Sequence, residues 1–166
     1  NGLWRFHPVA LQDTILPAAG TGWGYYKVPG TWTPGNACMK PLGPDIWEER
    51  LDLNKTDAAW YQRRIGIPAS WAGRRILINL DNPKQTARVL VDGQEAGQIL
   101  WPGGTVDITR LARPGAEQEL SVYVLALPLE PEQIRIARED LIEKVRAETR
   151  FKGLCGDCSL ECEPTG

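Results

Sequence analysis

Several things are scarce in this chain, and each scarcity excludes something. No apolar run approaches the roughly 18 residues that a membrane-spanning helix requires, so a helical membrane span is excluded. There is no excess of either charge: 19 basic against 21 acidic side chains leave a formal net charge of −2. That gives no electrostatic footprint for nucleic acid or for an anionic membrane surface. Histidine occurs once, as His7. Without a second histidine at ligand spacing, it reads as structural rather than as a metal ligand or general base. Methionine also occurs once, as Met39, and the chain begins at Asn1. It is therefore expected to be a processed protein or an excised piece, secreted or periplasmic rather than cytoplasmic.

The four cysteines are too few and too irregularly placed to read as a disulfide scaffold. Cys155-Gly-Asp-Cys158 is a CxxC. A zinc site needs four ligands on converging turns, and a redox CxxC needs a helix start that lowers a thiol pKa. Here the motif runs into a strand-like segment where Cys158, Leu160 and Cys162 fall on one face at a period of two. They read as small core hydrophobes, and no metal site is expected. Structural calcium is compatible with β-sandwich domains, but no Asp/Asn-rich loop announces it, and no cofactor is expected.

What is present is a globular composition, 42% hydrophobic and 24% charged, in 166 residues. That is enough for one ordinary domain spanning 1–166 with a real core. Seven tryptophans stand against two phenylalanines. A flat indole suits the C–H face of a pyranose, but most of the seven are expected as core anchors.

The stretch 60–97, WYQRRIGIPASWAGRRILINLDNPKQTARVLVDGQEAG, organises the chain. Three extended pieces lie in it, at 60–67, 74–80 and 88–91. In each, apolar side chains recur at a period of two, which places them on one face of a strand. Pro68 closes the first, and Asp92-Gly93 after the third is a hairpin signal. A first strand is expected over 1–9 around Trp4 and Phe6, a strand over 46–53, and another through Leu120, Val122 and Val124. Such alternation, with a turn every ten or so residues, predicts an antiparallel β-sandwich. Only 131–149 departs from it. Ile134, Ala137, Leu141, Ile142 and Val145 share a helical stripe behind Pro131, so one amphipathic helix is expected there.

The same stretches carry a family resemblance. WYQRRIGIPASWAGRRILINL is similar to the central segment of the sugar-binding domain of glycoside hydrolase family 2: an aromatic pair, basic residues, Ile-Pro, then Trp-x-Gly-x-Arg and an apolar strand. Val28-Pro29-Gly30-Thr31-Trp32 resembles that family's Val-Pro-Gly-x-Trp. Val106-Asp107-Ile108-Thr109 resembles its Phe-Asp-Ile-Thr, and LARPGAEQE at 111–119 its Leu-x-x-Pro-Gly turn. RFKGLCGDCSLECEP at 150–164 resembles the segment with which the domain ends before an immunoglobulin-like domain.

The resemblance implies an all-β, jelly-roll sandwich of the galactose-binding type, with one helix inserted late. It also implies a non-catalytic accessory role in the N-terminal part of a glycoside hydrolase. Such a domain packs on the catalytic barrel and shapes one wall of its substrate cleft, so the implied partners are carbohydrate and the parent's catalytic and immunoglobulin-like domains. In the family's β-galactosidases, the place of 131–149 holds a loop that sends an acidic residue and a tryptophan toward the sugar. Ala147, Glu148 and Thr149 fall there, with no tryptophan.

Hydrolysis needs two carboxyl groups across the scissile bond, one of them kept protonated by its surroundings. Of Asp45, Glu48, Glu49, Asp52, Glu139, Asp140 and Glu148, most sit in charged, polar company, so this chain alone is not expected to be an enzyme. The rival readings are a stand-alone carbohydrate-binding module and a purely structural interaction domain. For a sugar-binding surface, the best candidates are Trp47 and Trp101 as aromatic platforms, with Arg64 and Asp45 as polar partners.

Overall fold

Side chains that alternate along the sequence alternate between core and solvent in the fold. The computed structural model describes residues 1–20, 22–32 and 53–165. Within them run β1 (Gly2–Val9), β2 (Gly24–Val28), β3 (Ala58–Gly66), β4 (Arg75–Asp81), β5 (Pro83–Lys84), β6 (Thr86–Val91), β7 (Gln94–Leu100), β8 (Gly103–Asp107) and β9 (Glu117–Leu125). Then come helices α1 (Pro131–Ile136) and α2 (Glu139–Glu148), and strands β10 (Gly153–Leu154) and β11 (Cys158–Glu163). One sheet has the order β2-β1-β3-β9-β6-β7, the facing sheet β11-β4-β8, and β5 with β10 forms a two-stranded clip. All these pairings are antiparallel. This is the predicted all-β sandwich. The strand expected over 46–53 lies outside the described residues, apart from Leu53, which opens a short 3-10 turn.

The inner faces make one core. Trp4, Phe6, Tyr26, Tyr61, Val89 and Val122 from the large sheet meet Ile76, Ile78, Leu80 and Val106 from the small one. Phe6 packs its ring 5.0 Å from Tyr26 and 5.1 Å from Tyr61. Trp4, Trp23, Trp32 and Trp60 are all buried, so most of the tryptophans are core anchors as expected. The β11 residues Cys158, Leu160 and Cys162 alternate with exposed neighbours, and Cys158 and Leu160 pack on the core.

The turn signals are met as well. Asp92 and Gly93 both have positive φ, 47° and 77°, the pair of conformations that a tight two-residue hairpin turn demands. The Asp92 carboxylate also accepts the Glu119 amide at 2.9 Å, the Gln118 side chain at 2.7 Å and Arg113 at 2.8 Å. The hydrogen bond from Gln118, followed by the Glu119 amide, holds that carboxyl below the usual carboxylate range.

The segment 131–149 is helical, but it is broken. Ala137 and Arg138 take extended dihedrals, ψ 141° and 152°, between α1 and α2. Glu139 and Asp140 then fill the first turn of α2, where carboxylates favour the amide end of a helix. The break also divides the expected apolar stripe. Ile134 and Ile142 are buried, whereas Leu141 is 46% exposed. Ile134 of α1 joins the apolar cluster of Trp60 and Tyr123, whereas Ile142 of α2 is buried beside a different cavity, near Asp57 and Arg146.

The outer face of the large sheet is graded by register. His7, Trp60, Tyr123, Arg88 and Gln98 lie in one row across five strands, each the cross-strand partner of the next. One row toward the other end come Arg5, Gln62, Ser121 and Leu90. Trp23, Ala58, Trp60, Leu90, Tyr123 and Leu125 form a second apolar cluster there, covered by Leu11, Leu16, Leu129 and the Ile134 of α1.

One ionic cluster ties the helical end to the sheets. The Asp57 side chain, 3% exposed, accepts Lys152 at 2.7 Å through one oxygen and Arg146 at 2.7 Å through the other. Lys152 is 7% exposed and also donates to the Thr56 carbonyl at 3.2 Å. Breaking a buried pair from one side leaves an uncompensated charge. Asp57→Ala is therefore expected to cost about 3–5 kcal/mol, seen as a lower urea midpoint. The exposed Arg64–Glu117 pair is the control: Glu117→Ala should cost less than about 1 kcal/mol.

Candidate functional site

Trp101 stands at the turn between β7 and β8. Strand alternation buries Ile99, and the turn then lifts the next aromatic out, 52% exposed. It is tethered rather than loose. Its backbone N–H donates to the Gln85 carbonyl at 2.8 Å, and the Asn82 N–H donates to the Pro102 carbonyl at 2.8 Å. The indole N–H donates to Asn82 Oδ1 at 3.2 Å, and the Lys84 ammonium sits over the ring, 4.7 Å from its centroid. The result is a fixed, half-exposed aromatic plate with an amide and a cation at its border. Such a plate can stack on the apolar face of a sugar, with polar groups left to meet its hydroxyls.

The same end of the sandwich is closed from below. Lys84 pairs with Gly153, and Cys155 N–H donates to the Asn82 carbonyl at 3.3 Å. Gly30 and Trp32 donate backbone hydrogen bonds to Leu154 and Lys152 at 2.9 and 3.0 Å. Trp32 Nε1 donates to the Tyr61 hydroxyl at 2.6 Å. Burial pushes that hydroxyl far above the ordinary phenol range, so it stays protonated. Gly153 has φ +103°, and a Cβ there would lie 2.8 Å from Trp32 Nε1 and 3.0 Å from the Tyr61 oxygen. Only glycine fits this crossing. Phe151, two residues earlier, is 59% exposed.

Arg64 is elsewhere. It lies on β3 opposite Glu119, with its side chain 80% exposed and 3.6 Å from Glu117. Trp101 follows Leu100, which pairs with Thr86 and through it with Leu125. The six residue steps from 119 to 125 along β9 separate the two ends by about 20 Å. Arg64 and Trp101 are therefore not brought together. Arg64 instead borders an open cavity of about 280 Å³ with Asn1, Trp4, Arg63 and Ser159. Trp47 and Asp45 lie outside the described residues, as do Glu48, Glu49 and Asp52. Asn82 and Lys84, which hold Trp101, carried no signal in the sequence beyond their place in a turn.

The remaining chemical groups have structural partners. His7 Nδ1 lies 2.8 Å from the Pro8 carbonyl, and its ring meets Trp23 edge-on at 5.3 Å. Glu139, Asp140 and Glu148 are exposed on α2, and Asp140 pairs with Arg138 at 3.2 Å. Among the described residues, no three His, Cys, Asp or Glu side chains gather at metal-binding range. Asp107 accepts Arg75 at 2.8 Å and the Thr109 hydroxyl at 2.6 Å. Chiefly through Arg75, its carboxyl is held down to about 2. Thr109 Oγ1 in turn accepts the Ile76 amide at 2.8 Å, so Val-Asp-Ile-Thr is a clasp between β8 and β4.

The fold defines a class, an antiparallel β-sandwich carrying a short helical insert near its end. Comparison with known proteins gives the class its setting. No family model matches the chain. A β-glucuronidase of Paenibacillus borealis is 27% identical over 142 residues, covering 75% of this chain and 20% of that protein. The β-glucuronidase of Bifidobacterium dentium, solved in complex with coumarin-3-O-glucuronide, matches 98% of this chain and 29% of its own, with a TM-score of 0.67 at 20% identity. That of Faecalibacterium prausnitzii matches 98% and 30%, with a TM-score of 0.67 at 21% identity. A glycosyl hydrolase family 2 member from Bacteroides cellulosilyticus matches 98% and 20%, with a TM-score of 0.60 at 18% identity. At these identities the solved structures show a shared fold. The family resemblance read from the motifs is met by both kinds of relative, and the chain spans between a fifth and a third of their length.

The thiols yield a pH prediction. Burial pushes Cys155 and Cys158 each up to about 11. Folding thus raises both above the ordinary thiol value, so the stability linked to them is whole below about pH 9 and lost as the pH rises toward 11. At neutral pH, Cys155→Ser should leave Tm nearly unchanged. In alkali, the wild type should lose Tm faster than the Cys155→Ser/Cys158→Ser protein.

Proposed function

We infer that this chain is the non-catalytic accessory domain of a larger family-2 glycoside hydrolase, whose substrates are β-glucuronides. It packs on the parent's catalytic barrel and shapes a wall of the substrate cleft, with the immunoglobulin-like domain as a further partner. Coverage carries this reading: the chain is matched almost end to end, while the relatives run on for more than twice its length. A catalytic barrel of roughly 250 residues does not fit within 166. The exposed carboxylates of α2 also lack the apolar surroundings that keep a general acid protonated.

The tethered, half-exposed Trp101 favours a second reading, a carbohydrate-binding module that works without a barrel. The two differ in affinity. A cleft wall is half a site, so the isolated chain binds sugar weakly; a module binds by itself.

Incubation with a panel of aryl glycosides that includes the β-D-glucuronide tests the first reading. No turnover is expected. Turnover that disappears on Glu49→Gln would overturn it. Titration of tryptophan fluorescence with methyl β-D-glucuronide separates the two readings. No saturation is expected below the millimolar range, whereas tighter binding that Trp101→Ala abolishes would establish the module.

A further inference from the structure

The row Tyr123–Arg88–Gln98 on the outer face of the large sheet does not end in solvent. A cavity of about 400 Å³ lies over it, within the range of roughly 300–1,000 Å³ typical of small-molecule sites. Its floor is Tyr123, Arg88, Thr86 and Leu125, and its wall is made by Leu129, Pro131 and Ile134 of the α1 segment, with Leu11 opposite.

The polar groups at this place are unusually short of partners. Four buried side-chain N or O atoms among the described residues have no hydrogen-bond partner, and three cluster here: Tyr123 Oη, Arg88 Nε and Trp60 Nε1. Trp60 packs against Tyr123 with ring centroids 5.3 Å apart, and the Arg88 guanidinium lies 5.7 Å from both rings. Glu95 comes within 3.3 Å of Arg88 Nε, but off the hydrogen-bonding line. Tyr123 is 5% exposed, and burial raises its hydroxyl above the ordinary phenol range, so it remains a donor. Native folds leave few such groups unmade, because each costs free energy.

The other charges at the rim are engaged. Glu132 accepts Arg135 at 2.7 Å, and Glu130 closes the capping box with Gln133 at the start of α1. What remains is a flat, largely apolar chamber with two donors in its floor and aromatic rings beside them.

We propose that this cavity is a binding site for a small aromatic carboxylate, its ring lying between the α1 wall and Tyr123 and its carboxylate accepting from Tyr123 Oη and Arg88 Nε. Both atoms can donate, so an acceptor suits them, and the Arg88 guanidinium, although ion-paired with Glu95 at 3.3 Å, makes one of the donors a charged one. Leu11, Leu125, Leu129 and Ile134 give an aromatic ring its apolar contact, while Gln12, Thr14 and Gln98 also line the cavity. α1 buries one side chain, Ile134, and hangs from the extended link at Ala137 and Arg138.

The test is calorimetric titration of the whole chain with 2-naphthoate, and with 2-naphthylmethanol as the uncharged arm. Naphthoate should bind with saturable heat, and the alcohol at least about tenfold more weakly, the loss expected when an acceptor to a charged donor is made neutral. Tyr123→Phe removes only an unpaired hydroxyl. It should leave Tm unchanged or raised while weakening naphthoate about tenfold. Ile134→Trp, which fills the chamber, should abolish binding. Arg88→Gln should likewise weaken naphthoate about tenfold, and if it fails to fold, the Tyr123 and Ile134 variants still decide the matter. No heat with naphthoate up to low-millimolar concentration would overturn the proposal, as would affinity that both variants leave unchanged. Both arms are independent of glycoside turnover and of Trp101.

Discussion

The buried carboxylate of Asp57 is the point at which the parts of this fold are fastened together. It sits just before β3, and its own backbone carbonyl takes the N–H of Ala126 at 2.8 Å, just beyond β9. Its side chain then reaches Arg146 near the end of α2 and Lys152 just before β10. Two central strands, the helical insert and the returning chain meet there with almost no water. Such a cluster is costly to assemble, and its Coulomb attraction repays the desolvation only with full hydrogen bonding, which is present here. Its consequence is positional. Lys152 fixes Gly153, Gly153 pairs with Lys84, and Lys84 covers Trp101. The exposed aromatic is therefore held, through three residues, by a buried ion cluster on the other side of the clip.

The strands were legible because a period of two needs no partner to be seen: Ile76, Ile78 and Leu80 declare a face whatever they pack on. The Asp92-Gly93 turn was legible for a similar reason, since its φ angles are a property of two adjacent residues. The break at Ala137 was not. A continuous apolar stripe reads as one helix, and only the fold shows Ile134 and Ile142 buried in different surroundings, one with Trp60 and Tyr123, the other beside Asp57 and Arg146. Nor could the sequence reveal that Arg64 and Trp101 stand at opposite ends, because strand register, not spacing, sets that distance. The Asp57 cluster spans more than ninety positions and had no local signature at all.

The motifs behind the family resemblance are, where the structure describes them, parts of the scaffold. Val28 through Trp32 hydrogen-bonds to the 152–154 segment, and Val-Asp-Ile-Thr closes β8 on β4. The Pro-Gly turn near Gly115 lies next to Arg113, whose N–H donates to Gln118 and whose guanidinium binds Asp92. These residues bury polar atoms in fixed turns, where substitution costs stability at once. Such residues serve the scaffold and do not report on the ligand. The resemblance is accordingly strong evidence for architecture, and the reading of function has to be carried by coverage and by the groups that face outward.

Those outward groups divide the large sheet by chemistry. Toward the Arg64 end, Arg5 donates to Gln62 at 2.6 Å, and Gln62 donates to Glu119 at 2.6 Å and Ser121 at 3.2 Å. Gln62, at the centre of that row, has hydrogen-bond partners on both sides, while Leu90 at the end of the row joins the covered apolar cluster. Toward the other end, Trp60, Tyr123 and Leu125 present an apolar strip that water would penalise, and the chain covers it with 10–16 and α1. Covering solves the apolar problem and creates a polar one. Arg88 and Tyr123 share a row with Trp60, so whatever shields the indole also shields the guanidinium and the hydroxyl from water. The apolar side chains of the cover, Leu11, Leu129 and Ile134, offer them no hydrogen bond, and Glu95 reaches Arg88 Nε at 3.3 Å only off the hydrogen-bonding line. The unbonded Tyr123 hydroxyl and Arg88 Nε thus follow from placing a tyrosine and an arginine in an apolar row beneath Leu11, Leu129 and Ile134, and a ligand with one apolar face and one anionic end meets both demands at once.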